Sequence, residues 1–247
     1  MIGQNLVDFL NEELKENTIV EKLNYLQDAH RGSVIFTTSF GYEDQVITDF
    51  IFKNRFDIKV VTLDTGRLFP ETYKVYNSTL DKYKKPISVY FPPTEKVEEL
   101  LNKKGPFSFY ESLENRKECC FIRKVIPLKR ALAGNEIWIT GLRASQSENR
   151  SDLQEFEWDE GNQIIKYNPL LEWSLEETIE YIKENHVPYN VLHDRGFVSI
   201  GCEPCTRAIK PGENFRAGRW WWEQNSGKEC GLHETASPDI PISKRED

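Results

Sequence analysis

An α/β fold with a parallel sheet and helices on both faces is what the sequence predicts. Three observations lead there. Short, β-branched, apolar runs recur through the first two thirds of the chain: SVIFTTS at 33–39, IKVVTL at 58–63, ISVYF at 87–91 and EIWIT at 136–140. They lack strict polar alternation, as strands buried on both faces do. Helical runs separate them, and a βαβα order makes parallel strands with helices packed on either side. The chain of 247 residues, 38% hydrophobic, is also long enough for one sizeable core.

The elements follow in order. The opening MIGQNLVDFLNEELKEN is acidic and amphipathic, without the basic and apolar regions of a secretory signal. After the first strand and Gly41, EDQVITDFIFKN reads as a helix whose first-turn acids suit its dipole. A helix follows Pro70 after the second strand, and another starts near 94 after the third. Residues 107–133 read as a long helical stretch broken near Pro127, and the fourth strand ends at Gly141. LQEFEWDEGNQIIKYNPL, 153–170, predicts a hairpin turning at Glu160-Gly161-Asn162, and a helix spans about 174–185. From Pro188 onward, Gly, Pro, charge and Trp predict loops and short helices, and the last dozen residues a mobile tail. With no clear linker, the expected division is one domain over 1–210 and a flexible C-terminal segment over 211–247.

The net charge of −8 argues against bulk binding of nucleic acid or anionic membrane, while leaving room for a local basic pocket. No apolar run approaches membrane-spanning length. Five cysteines without an export signal point to a reducing, cytoplasmic setting, where cysteines bind metal or do chemistry.

Ligands of open parallel sheets bind beyond the carboxyl ends of the strands. Three such ends are informative. TTSFGYED, 37–44, offers the hydroxyls of Thr38 and Ser39, a tight turn at Gly41 and a helix start able to cradle an anion. LDTGRLFPET, 63–72, holds Asp64, Gly66 and Arg67; TGLRASQSENRS, 140–151, holds Gly141, Arg143 and Arg150. Each alone fits an ordinary strand-to-helix turn, and the first matches neither the dinucleotide fingerprint nor the Walker loop. Together they point to a nucleotide or phosphate site.

Cys119-Cys120 and Cys202-x-x-Cys205 supply four thiolates, enough for a tetrahedral metal or an iron–sulfur cluster. Adjacent cysteines diverge, so both reach one centre only with unusual local backbone. A cubane with separate iron corners relaxes that demand and favours 4Fe–4S over zinc; burial as small hydrophobes is the alternative for the pair. Arg116, Lys117, Arg123 and Lys124 flank the pair, either to balance a negative cluster and draw in an anion or as a solvated helix face. Cys230 stands apart in GKECGLHET, 227–235.

The segments TSFGYEDQV, LDTGRLFPET, KECCFIRK, TGLRASQS, CEPC, RAGRWWWE (216–223) and ECGLH, in this order, resemble the assimilatory adenylyl-sulfate (APS) and phosphoadenylyl-sulfate (PAPS) reductases from about residue 30 to 235. The resemblance implies an adenine nucleotide alpha hydrolase-like domain. The cysteine pair and Arg67 resemble the cluster-bearing, typically APS-preferring branch; many PAPS enzymes carry Tyr at Arg67 and lack these four cysteines. It implies a 4Fe–4S cluster on Cys119, Cys120, Cys202 and Cys205.

It also implies that Cys230 attacks the substrate's sulfonyl sulfur, releases AMP and holds an S-sulfocysteine that thioredoxin resolves to sulfite. A cysteine on a mobile tail suits a thiol that must meet two partners. By the same resemblance Thr38, Ser39 and Gly41 form the phosphate loop, which departs from the commoner serine-rich version at Phe40. Leu63 and Gly141 line the adenosine, and Lys124 links cluster and substrate. Arg150, Arg216 and Arg219 bind the phosphate–sulfate, and His233 closes over it. Trp220-Trp221-Trp222 reads as packing. Expected partners are APS, with PAPS as the alternative, and thioredoxin, with no nucleic acid and no membrane; a homo-oligomer stays open. The rival readings are a PAPS reductase, an ATP-using adenylating enzyme, whose serine-glycine-glycine loop and lysine TSFGYED lacks, and a non-catalytic zinc module, which leaves Cys230 unexplained.

Overall fold

The four apolar runs become strands of a single six-stranded sheet in a computed structural model that describes residues 2–146 and 153–223. They are β1 (Val34–Thr38), β2 (Lys59–Leu63), β3 (Ser88–Tyr90) and β4 (Ile137–Ile139). The expected hairpin forms from β5 (Phe156–Asp159) and β6 (Ile164–Tyr167), its turn closed by the Asn162 N–H donating to Asp159 Oδ1 at 2.9 Å. The strand order is β3-β2-β1-β4-β6-β5. All neighbours are parallel except β5 and β6. The sheet is therefore mostly parallel, with one antiparallel edge strand that the hairpin supplies.

Successive side chains of a strand point to opposite faces, and each face has its own helices. Val34, Phe36, Val60, Ile137 and Ile139 join a core with α1 (Ile2–Glu13), α2 (Ile19–Ala29), α3 (Tyr42–Lys53), α4 (Pro70–Tyr83) and, further along the chain, the helix at Leu175–Glu184. Ile35, Val61, Trp138 and Ile164 face the opposite way, onto Leu128, Ala131 and Leu132. The two-sided covering explains why the strands lack polar alternation. At α2, Thr18 and Glu21 form a reciprocal capping box. Ser174 and Glu177 do the same for the Leu175–Glu184 helix.

The stretch expected as one helix over 107–133 is built differently. After α5 (Thr94–Lys104), a 3₁₀ turn at Ser108–Tyr110 precedes α6 (Leu113–Cys120), a π-helical turn at Phe121–Val125 and α7 (Ile126–Leu132). The irregularity precedes Pro127 rather than falling on it. The Ile126 N–H reaches back five residues to the Phe121 carbonyl. Pro127 then lies in the first turn of α7, where a missing N–H costs little. The last helix is α8 (Leu175–Glu184).

The chain runs from β1 outward through β2 and β3, then returns to start β4 on the other side of β1. The crevice beyond the carboxyl ends of β1 and β4 is thus the topological switch point. Residues 211–223 lie against this end of the domain, where Trp220 is 1% exposed. Among the described residues no helix is long and apolar enough to cross a membrane.

Candidate nucleotide and cysteine site

A cavity of about 230 Å³ opens at the switch point. Thr38, Ser39 and Gly41 line it from the β1–α3 turn, Leu63 from the end of β2, and Gly141 from the end of β4. Lys124, Arg216 and Arg219 complete the wall. Residues distant in sequence therefore meet as the resemblance implies. Arg150, Cys230 and His233 lie outside the described residues.

The β1–α3 turn gets its shape from Phe40. Its φ is +62°, a conformation bulky residues rarely adopt. Its buried ring packs 5.1 Å from that of Tyr76, which anchors the turn in the core. The Ser39 N–H and hydroxyl both donate to Asp44 Oδ2, at 2.5 and 2.6 Å. Thr38 Oγ1 accepts from the Phe40 N–H at 3.1 Å and keeps its own proton to donate. The Ser39 hydroxyl, expected to face an anion, is thus turned to Asp44. Gly41 gives α3 no side-chain cap, so the helix's first-turn N–H groups are left for a ligand.

Asp44 is buried, and desolvation raises its carboxyl from the ordinary 3.8 to about 6, against the pull of the two Ser39 hydrogen bonds. A Cβ at Gly141 would overlap Asp44 Oδ1, so the end of β4 and the start of α3 meet at this carboxylate. The folded protein keeps this proton to higher pH than the unfolded chain. Stability from this group therefore falls as pH rises from 3.8 to about 6 and stays lowered above that. Asp44→Asn, which keeps an acceptor for Ser39, is expected to be more stable than the parent at pH 8 by about 2–3 kcal/mol. The difference should vanish near pH 4. Urea midpoints of both proteins across this range check it, and an advantage that does not change with pH would refute the account.

Arg143 and Asp64 are supports rather than ligand contacts. Arg143 is 2% exposed, and its Nε donates to Glu43 Oε1 at 2.7 Å, tying the end of β4 to α3. Asp64 accepts from the Gly66 N–H at 2.8 Å and from the Tyr73 hydroxyl. Arg67 turns away from the nucleotide cavity. Its Nη2 donates to the Pro106 carbonyl at 2.6 Å, and its guanidinium lies 5.0 Å from the Phe109 ring.

Arg67 instead lines a second, small cavity with Arg116, Arg123, Lys124 and all four cysteines of the two pairs. Cys119 and Cys120 sit at the end of α6, directly before the π turn. The pair itself keeps regular helical backbone, with Cys120 at φ −64° and ψ −40°, and the irregularity begins just after it, in a π turn of the kind that recurs at functional sites. Cys202 precedes a 3₁₀ turn at Glu203–Cys205, and Cys205 ends it. That loop is tied to the end of β2 by the Glu203 N–H on the Arg67 carbonyl at 2.8 Å and by Thr65 Oγ1, 3.2 Å from Cys202 Sγ. Burial pushes the Cys119 thiol up, offset in part by Arg123. Burial and then Cys202 push Cys205 up to about 12, with Lys124 and Arg219 pulling the other way. Among the described residues, no group of three or more His, Cys, Asp or Glu side chains is set to hold a metal ion. The four sulfurs line the walls of a shared cavity instead.

Lys124 borders both cavities. Arg219 is 6% exposed; its Nη1 makes only long contacts to Ser199 and Ile200, at 3.4 and 3.5 Å, and its Nε has no hydrogen-bond partner among the described residues. A buried cation so sparsely satisfied is suited to an incoming anion. The tryptophan run packs in part: Trp220 joins the core around the cysteines and Trp222 packs against it, while Trp221 is exposed. His193, which the sequence reading missed, also lines the nucleotide cavity. It stacks on Tyr42 at 3.8 Å, and its Nδ1 lies 2.8 Å from the Phe197 carbonyl oxygen, which puts the proton on Nδ1. Burial holds it below the ordinary histidine range, so the ring is neutral. One histidine in a loop carries no pattern that would have singled it out.

A switch-point cavity with an uncapped helix start and a cationic wall defines a nucleotide-binding α/β protein. The chain belongs to the phosphoadenosine phosphosulfate reductase family, whose domain matches residues 33–208. It is 49% identical over 210 residues to an adenosine 5′-phosphosulfate reductase of Agrobacterium fabrum, covering 85% of this chain and 81% of that protein. An adenosine 5′-phosphosulfate reductase of Allochromatium vinosum is 48% identical over 81% of this chain and 78% of its own. The crystal structure of a phosphoadenylyl-sulfate reductase from Candida auris, in complex with phosphate, superposes with a TM-score of 0.70 at 33% identity, covering 83% of this chain and 97% of that one. Yeast FAD synthetase, at 16% identity and a TM-score of 0.50 over 83% of this chain and 67% of its own, shares the fold alone. The fold is the adenine nucleotide alpha hydrolase-like α/β architecture.

Proposed function

We propose that this protein reduces adenosine 5′-phosphosulfate to sulfite and AMP in sulfate assimilation, with thioredoxin as reductant. The observation that carries the reading is the meeting of four cysteines at one cavity joined through Lys124 to the nucleotide cavity, in a chain about half identical to proteins named for that activity. Thr38, Gly41 and the first turn of α3 receive the phosphate, with Ser39 shaping the turn through Asp44. Leu63 and Gly141 flank the adenosine, and Arg150, Arg216 and Arg219 hold the phosphate–sulfate oxygens. His233 closes over the substrate.

The Cys230 thiolate attacks the sulfonyl sulfur. An S–S bond forms, the bond from sulfur to the phosphate oxygen breaks, and AMP leaves with the electron pair. A thioredoxin thiolate then attacks Cys230 Sγ, sulfite departs with the S–S electron pair, and a mixed disulfide forms. The second thioredoxin thiol resolves it, restoring Cys230 and leaving oxidised thioredoxin. The C-terminal segment that holds Cys230 is the part that must meet both partners.

Cys119, Cys120, Cys202 and Cys205 fit a 4Fe–4S cluster: the donors are all sulfur, no carboxylate or histidine among the described residues lines their cavity, and four cations surround it. The cluster would position and polarise the site rather than carry electrons. Side chains of adjacent cysteines diverge, which favours the separate iron corners of a cubane over a mononuclear zinc. Reducing conditions of a cytoplasm suit both the thiols and the reductant.

The test is anaerobic purification, iron and sulfide analysis, and sulfite release from APS and from PAPS with reduced thioredoxin. About four irons per chain and preference for APS are expected. PAPS preference would favour the alternative substrate. A colourless zinc protein inert toward both would overturn the reading.

A further inference from the structure

We propose that Trp220 is a positioning residue that holds one arginine of each cavity, Arg219 at the nucleotide side and Arg116 at the cysteine side. The guanidinium carbon of Arg116 lies 4.5 Å from the Trp220 ring and that of Arg219 4.7 Å, with Arg216 at 6.0 Å. Arg219 lines the nucleotide cavity and Arg116 the cysteine cavity, so a single ring touches both.

The contact suits what Arg219 must do. An arginine fixed by carboxylates would have spent its donors. One stacked on an aromatic face is held in place while its N–H edge stays available for an oxyanion fork. The long contacts and unpartnered Nε of Arg219 are what such a seat leaves. Gly201 forms the other side, because a Cβ there would overlap Arg219 Nη2.

On the cysteine side, Arg116 is 2% exposed and clasps Glu223 through both carboxylate oxygens, at 2.8 and 3.1 Å. Trp220 itself has a φ of +42°, a conformation a large side chain keeps only when its surroundings over-determine it. Its backbone N–H donates to the Cys205 carbonyl at 3.2 Å, which fixes the ring to the cysteine loop.

Three variants separate this role from bulk packing. Trp220→Phe keeps an aromatic face and breaks no hydrogen bond, since the indole N–H has no partner among the described residues. Trp220→Leu keeps apolar volume and loses the face. Gly201→Ala pushes Arg219 off its seat without touching the core, so it reports on the contact even if the leucine protein misfolds. Dissociation of AMP by calorimetry, KM and kcat for adenosine 5′-phosphosulfate, and iron content are measured on the whole chain.

Trp220→Leu and Gly201→Ala are expected to weaken AMP binding and raise KM about tenfold, with kcat changed far less. Trp220→Phe is expected to restore most of the loss, and iron content to stay at the parent level in all three. Parental affinity in the leucine and alanine variants would overturn the inference, as would a phenylalanine variant as weak as the leucine one. The inference rests on the reductase reading only for the identity of the anion. A parent protein that binds AMP but reduces neither sulfonucleotide would sink that reading and leave the AMP comparison intact.

Discussion

Cys230→Ser should bind AMP and retain its iron yet release no measurable sulfite, a fall of at least about 10⁴-fold. The size follows from the chemistry. The proposed step forms an S–S bond, which a serine oxygen cannot make, and a serine hydroxyl is a far weaker nucleophile than a thiolate near neutral pH. Nothing else in the described site can substitute. The other four cysteines are buried, and in the proposed reading their sulfurs are engaged as cluster ligands. Mass spectrometry gives a second reading. Incubated with substrate but no thioredoxin, the parent should gain one SO₃ group on Cys230, and the serine protein none. Sulfite release retained by the variant would end the assignment of Cys230 as nucleophile.

Cys205→Ser should have the opposite profile: Cys230 untouched, iron lost. From about four irons per chain, the variant is expected to fall below about one and to lose its visible absorption together with its activity. Cys205 sits in a short turn held by the Trp220 N–H on its carbonyl and by the β2 end. Removing its sulfur leaves no donor to take its place among the described residues, since none of the histidines or carboxylates among them lines that cavity. Without thiolate-bound iron, Arg67 and Arg123 lose the negative charge that the cluster sets beside them. A lower thermal midpoint should accompany the lost iron. Full iron content in the variant would show that the four cysteines do not act as a set. Together the two substitutions separate the chemistry of the lone cysteine from that of the four.

Much of this architecture was legible in the residues. The strands read directly because both sheet faces are covered, which leaves runs such as IKVVTL apolar throughout. The hairpin at 153–170 read from its turn residues, and the helix expected at about 174–185 forms over Leu175–Glu184. The α2 helix passed unread although Thr18 and Glu21 carry the same signature, because its apolar residues, Leu23 and Leu26 among them, make a short stripe. The break in the long helix was expected near Pro127, the strongest local signal, and the irregular backbone is the π turn at Phe121–Val125 just before it.

The sequence by itself determined the fold class, the order of strands and helices, the grouping of cysteines into four and one, and the family. Those depend on local periodicity, turn chemistry and short motifs, all written in neighbouring residues. Only the tertiary structure decided how each group is used. It inserted β6 between β4 and β5, gave the Ser39 hydroxyl to Asp44, and turned Arg67 to the cysteines and Arg143 to Glu43. It also brought His193 to the nucleotide cavity and seated two arginines on Trp220. The physical reason is the same in each case. A buried polar group must find its partner, and the partner is chosen by which surfaces the sheet and helices bring within about 3 Å, often across a hundred residues of chain.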